Sequence, residues 1–161
     1  MKEILLGIGD IGISDDGRPI RTQGLGSCVA VSLWCPGSQA VGMVQIALPE
    51  SRINPGKGEE KPGYFADTGI PALIRQMQGL GCRISAEETQ VKLAGGAQVM
   101  NTNDVFNIGD HNVAAVRRIL SEQGLRAAAE ELGGHASRTV TVFPQTGKVV
   151  LSCPGQPEWT I

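Results

Sequence analysis

The pattern that most limits what this chain can fold into is a unit that occurs twice: an apolar stripe at helical spacing, a Gly-Leu pair, a strand-like run, and a Gly-Gly pair. In the first copy Ile70, Leu73, Ile74, Met77 and Leu80 form the stripe, and Gly79-Leu80 leads to Gly95-Gly96. In the second, a helix from about 110 to 123 carries Val113, Val116 and Leu120 on one face with Ile119 beside them, and Gly124-Leu125 leads to Gly133-Gly134. Apolar residues three and four apart define amphipathic helices, and the glycines fall where C-terminal caps belong. Thr68 reads as the N-cap of the first helix and Pro71 as a residue of its tolerant first turn. The intervals before the two Gly-Gly pairs differ, so the echo is not by itself a duplication.

Runs rich in Val, Ile and Leu at 3–8, 28–34, 41–48, 90–94, 138–143 and 149–153 read as strands. Many strands and few helices predict a layered α/β domain with a mixed β-sheet core and two main helices. No low-complexity tract or charge block divides the chain, so residues 1–161 are expected to form one domain. At 161 residues it is long enough to bury roughly 70% of its unfolded surface without staples. The one linker-like stretch, 50–63, crowds polar residues and turn formers and reads as a mobile surface loop.

Composition excludes several functions. The four cysteines, Cys28, Cys35, Cys82 and Cys153, include no Cys-x-x-Cys pair, and only His111 and His135 accompany them, so no structural zinc spacing exists and no metal is expected. The 14 basic residues are scattered among 16 acidic ones, a poor match to nucleic acid. The apolar stretch near the amino terminus is far shorter than the ~20 residues of a membrane span. No membrane insertion is expected, and the reading is a cytoplasmic protein with reduced thiols.

Two glycine motifs bear on chemistry. Gly7-Ile8-Gly9-Asp10-Ile11-Gly12 fits the dinucleotide pattern after a strand, but Ser14-Asp15-Asp16-Gly17-Arg18-Pro19 is turn chemistry where a pyrophosphate site needs a helix. It reads as a strand ending in a glycine turn. Thr22-Gln23-Gly24-Leu25-Gly26-Ser27-Cys28-Val29-Ala30-Val31 is more informative. Gly26 and Ser27 permit a tight backbone approach and set Cys28 at the start of an apolar strand, with nearby N–H groups able to face an oxyanion. A buried structural cysteine would fit the same pattern, since free Cys is among the most buried residue types.

That segment, followed by Gly42-Met43-Val44-Gln45-Ile46-Ala47-Leu48-Pro49, resembles the CheD family of bacterial chemotaxis proteins, chemoreceptor glutamine deamidases. Tyr64-Phe65-Ala66-Asp67-Thr68, Leu93-Ala94-Gly95-Gly96-Ala97, Asn107-Ile108-Gly109 with Asn112, and Gly133-Gly134 with Arg138 look like further motifs in the family's order. The resemblance implies a CheD-like fold and hydrolysis of a glutamine side chain on a methyl-accepting chemoreceptor, with no cofactor. It also implies a possible second partner, a CheC-type phosphatase. Carried over by position, Cys28 is the nucleophile and Thr22 completes the site, while the family's histidine position holds Gln45.

Gln45 governs how much chemistry can be expected. A thiol of pKa about 8.5 is only about 3% ionised at pH 7, and a neighbouring imidazole ordinarily accepts its proton and stabilises the thiolate. A carboxamide accepts no proton. The alternative is therefore a catalytically impaired binding module for receptor or phosphatase. Gln45 could mimic the substrate's side chain or pair with Cys28 as an inert polar contact. His111 and His135 are candidate substitute bases, His135 preferred because Gly133-Gly134 permit close approach. Phe106, with Val105 in a polar, glycine-bounded loop, is a candidate partner contact. Cys35 is expected at a turn, Cys82 and Cys153 at core strand positions, and Trp34 and Trp159 in packing roles.

Overall fold

The structure, a computed structural model, describes residues 2–98 and 107–161. In chain order its strands are β1 (Ile4–Leu6), β2 (Ile11–Ser14), β3 (Ile20–Leu25), β4 (Val29–Cys35), β5 (Ala40–Ile46), β6 (Gln90–Gly95), β7 (Ala127–Leu132), β8 (Arg138–Val142), β9 (Val149–Ser152) and β10 (Trp159–Thr160). The helices are α1 (Pro55–Glu60), α2 (Ala66–Gly79) and α3 (Ile108–Glu122).

Instead of one sheet, the strands make two of five strands each, ordered β1-β3-β8-β9-β10 and β2-β5-β4-β6-β7. Both are mixed, because β1 runs parallel to β3 and β6 parallel to β7 while the other pairs are antiparallel. The reason for the second sheet is legible in β4 and β5, where both faces carry residues that water must leave. Val29, Val31 and Leu33 of β4 and Val44 and Ile46 of β5 pack with Ile70, Leu73 and Met77 of α2 and Val116 and Leu120 of α3. On the opposite face Ala30, Val41 and Met43 meet Ile20, Leu25, Val140, Val142 and Leu151 of the other sheet. The order of layers is helices, sheet, sheet.

The two echo units lie side by side. Strand β6 passes through α3 to its parallel neighbour β7, and Gly133 N donates to Gly95 O at 2.9 Å, so both glycine pairs end at one edge of the sheet. Antiparallel β4 begins at that same edge, Val29 opposite Gly95. The topology thereby brings the start of β4, the end of β5 and both glycine pairs together.

Several expectations need correction. Residues 50–63 are structured: a 3-10 turn over Ser51–Ile53, then α1, then a 3-10 turn over Pro62–Tyr64, with Gly58 and Gly63 buried. Asp67 fixes the segment to α2, accepting from Ser51 N at 2.9 Å and from Ser51 Oγ at 2.8 Å. Helix α2 also begins earlier than its stripe indicates. Its N-cap is Phe65 with no side-chain cap, so Thr68 sits inside the first turn donating to Pro62 O, and Pro71 lies within the helix. Cys82 is buried in the core but follows α2 rather than occupying a strand, and Cys153 just follows β9. Strands β2 and β3 hide among turn formers. Strand β3 holds Ile20 and Thr22 inward and then bulges before Leu25.

Trp34 and Trp159 are packing residues, the first donating to Pro144 O at 2.8 Å and the second to Glu131 Oε2 at 3.3 Å. The Gly7–Gly12 segment turns directly from β1 into β2, with no helix for a pyrophosphate. No helix among the described residues is long and apolar enough to cross a membrane.

Candidate active site

Thr22, Cys28 and Gln45 come together at the seam between the two sheets. Thr22 points inward from β3 and is fully buried, and Gln45 sits on the inner face of β5 opposite Ala30 and is also buried. The Thr22 hydroxyl lies between two acceptors, Leu6 O at 3.2 Å and Gln45 Oε1. A hydroxyl holds one proton, and when it goes to Oε1 the carboxamide N–H remains for another acceptor. The Gln45 side chain also bears on the half-buried Cys28, where it holds the thiol down. Backbone bonds lock Gln45 further: Gly9 N donates to its carbonyl at 2.8 Å and its own N–H to Asp10 O at 3.2 Å.

Burial pushes the Cys28 thiol up, and two weaker influences pull the other way: the hydrogen bond from Gln45 and the residue's own backbone N–H. Burial dominates because a thiolate in a poorly solvated site loses more than one neutral donor returns. No charged side chain among the described residues contributes. The arrangement therefore presents a neutral thiol beside a carboxamide, with no charged or imidazole side chain acting on it among the described residues.

The segment before Cys28 is held by its backbone. Gly96 N donates to Cys28 O at 2.8 Å and Ala97 N to Gly26 O at 2.9 Å. Gly95 makes this possible, since its φ of 108° suits glycine alone and a Cβ there would stand 2.2 Å from Cys28 O. Gly26 and Ser27 thus act through main-chain carbonyls, the second accepting from Asn112 Nδ2 at 2.9 Å.

Both histidines lie at the surface, and neither is among the groups that shift the Cys28 thiol. His111 is exposed on α3, and exposed His135 places Nδ1 3.0 Å from Gln98 O, lining a pocket of about 120 Å³ with Gly96, Gly109 and Gly134. Phe106 lies outside the described residues, as does Val105. Among the described residues no three His, Cys, Asp or Glu side chains gather as a metal site.

Asn112 and Arg138, part of the motifs in the sequence, take on a role in the site's frame only here. Asn112, fully buried, donates to Ser27 O and Ala47 O, both at 2.9 Å. Its sequence signal was a polar amide four residues before Val116 on the buried stripe of α3, where burial demands internal partners. Arg138, buried at the start of β8, donates to Gly133 O at 2.7 Å and to Gly95 O at 3.4 Å, binding the two glycine loops together.

Fold and site together define a two-sheet α/β protein that gathers a threonine, a carboxamide and a cysteine just before β4 at the seam between its sheets. The family follows from comparison with known proteins. Residues 47–153 match the family model described as CheD chemotactic sensory transduction. The chain is 48% identical over the full length of both proteins to a probable chemoreceptor glutamine deamidase CheD of Syntrophotalea carbinolica. It is 41% identical to one named probable chemoreceptor glutamine deamidase CheD 2 of Anaeromyxobacter dehalogenans, across 97% of this chain and 98% of that protein. A further relative, from the archaeon Methanococcus maripaludis, is 39% identical over 89% of this chain and 90% of its own length. The chain belongs to the CheD family.

Proposed function

We propose that the chain deamidates a glutamine side chain of a methyl-accepting chemoreceptor, slowly at neutral pH, with Cys28 as the nucleophile. The observation that carries this reading is that Cys28, at the family's cysteine position, has for its influential neighbour the Thr22-held carboxamide of Gln45, which holds the thiol down but accepts no proton. The Cys28 proton therefore leaves to solvent. The thiolate attacks the carboxamide carbon, the oxyanion forms near the Cys28 N–H, and the tetrahedral species expels ammonia with a solvent proton. Water then cleaves the thioester, leaving glutamate and the thiol. Thr22 holds the Gln45 carboxamide so that its N–H faces the sulfur.

Because the thiol is raised, the reactive form grows as pH rises through and above the ordinary thiol range. Ammonia release from receptor glutamines should climb with pH and vanish in Cys28→Ala. A rate that is flat between neutral and alkaline pH would contradict solvent deprotonation.

The same contact favours a second reading, a binding module that kept the scaffold and lost the reaction. It expects no ammonia at any pH and equal receptor affinity with Cys28 or Ala in place; measurable turnover by the unaltered protein removes it. A CheC-type phosphatase remains a candidate second partner on either reading. The cytoplasmic assignment draws support from four free cysteines, including adjacent Cys35 and Cys82 left unbridged.

A further inference from the structure

We infer that Asn112 is the positioning residue of this site: it fixes the Ser27–Cys28 peptide so that the Cys28 N–H faces the reacting sulfur and the oxyanion formed beside it. The inference rests on the reading of Cys28 as a nucleophile. Asn112 Nδ2 has two protons and spends both, one on Ser27 O and one on Ala47 O, each at 2.9 Å. Its partners lie 85 and 65 residues away in sequence, so one side-chain nitrogen ties α3 to the nucleophile's loop and to the end of β5.

The consequence for Cys28 follows from peptide geometry. Among the described residues there are no cis peptide bonds, and in a planar trans peptide the carbonyl and the following N–H point in opposite directions. Drawing Ser27 O toward the buried Asn112 therefore turns the Cys28 N–H the other way, and that N–H is one of the groups that hold the Cys28 thiol down. The neighbouring peptides are fixed by bonds of their own, Ala97 N to Gly26 O and Gly96 N to Cys28 O. Only the Ser27 carbonyl depends on a side chain.

Asn112 Oδ1 supports this assignment. It is buried and has no hydrogen-bond partner among the described residues. A position that leaves its acceptor unpaired while both donors are used is one where donation is the required property. An aspartate has the same shape and the opposite chemistry there, since a carboxylate would face two carbonyl oxygens.

The test uses Asn112→Asp and Asn112→Ala in the full chain, with Cys28→Ala as the labelling control. Alkylation of Cys28 by iodoacetamide is followed against pH by mass spectrometry, and the Cys28 amide proton is followed by NMR. In the unaltered protein the amide resonance should titrate with the alkylation midpoint. In both variants that response should be lost and the midpoint should rise by about half a unit or more, because a donor to the thiolate has turned away. The Ala variant carries no charge, so its shift cannot come from a new carboxylate. A purely structural role lowers the melting temperature and leaves the midpoint unchanged, and that result overturns the inference. Should neither variant fold, the unaltered protein decides: an amide indifferent to Cys28 ionisation also overturns it. If Cys28 in the unaltered protein resists alkylation at every pH, the nucleophile reading itself fails, and this inference falls with it.

Discussion

At the scale of single residues the site is defined by what Gln45 does and does not do. Its carboxamide is held by the Thr22 hydroxyl and bears on the Cys28 thiol, and it has none of an imidazole's proton affinity. Replacing general-base assistance by solvent typically costs 10²–10⁴-fold. Gln45→His should recover a gain of about that size at neutral pH, measured as ammonia release from a receptor glutamine, and should flatten the alkaline rise. A Gln45→His protein that folds and remains as slow as the parent would show that the lesion lies elsewhere. Thr22 tests the hold on Gln45: Thr22→Val leaves a buried carboxamide oxygen without its donor and should cost about 1–3 kcal/mol in denaturant unfolding. No measurable loss would mean that the hydroxyl serves Leu6 O instead.

At the scale of elements, the site depends on how closely α3 approaches the end of β6. Gly109 lies in the first turn of α3, and a Cβ there would stand 2.5 Å from Gly96 O and 2.8 Å from Ala97 O. Both obstacles are backbone, so the helix itself must move. Gly109→Ala should destabilise the fold by about 1–3 kcal/mol and slow Cys28 alkylation, because Asn112 moves with the helix. An unchanged unfolding midpoint together with an unchanged alkylation rate would mean that the glycine is not required for this contact. The two main helices and most strands were legible because each carries its own period. Strand β3 was not, since Thr22, Gln23 and Gly24 interrupt its alternation and a bulge separates Thr22 from Leu25. Helix α1 was hidden for a different reason: its six residues, PGKGEE, carry no apolar stripe, and it is held by the Asn54 cap and by packing of the flanking turns.

At the scale of the whole molecule, the helix-side core holds a titratable pair that the site does not use. Cys35 and Cys82 lie in contact within it, and burial together with Cys82 pushes the Cys35 thiol up to about 12. Its folded value lies above its unfolded one, so the stability linked to it is fully present below the ordinary thiol range and is lost as pH rises toward about 12. Cys35→Val should weaken that alkaline loss, read as urea midpoints in mildly and strongly alkaline buffer. Identical pH dependence in the two proteins would assign the alkaline limb to other groups. The sequence by itself determined the α/β class, the two amphipathic helices, the family, and the three residues Thr22, Cys28 and Gln45, because helical and strand periods and a contiguous motif are local properties. Only the tertiary structure decided that the strands divide into two sheets and that Thr22 donates to Gln45. It also decided that both histidines are exposed, that Asn112 ties α3 to Ser27 and Ala47, and that Arg138 binds the two glycine loops together. Those facts rest on contacts between residues tens of positions apart, made only when both faces of β4 and β5 are covered and buried polar groups must find partners inside.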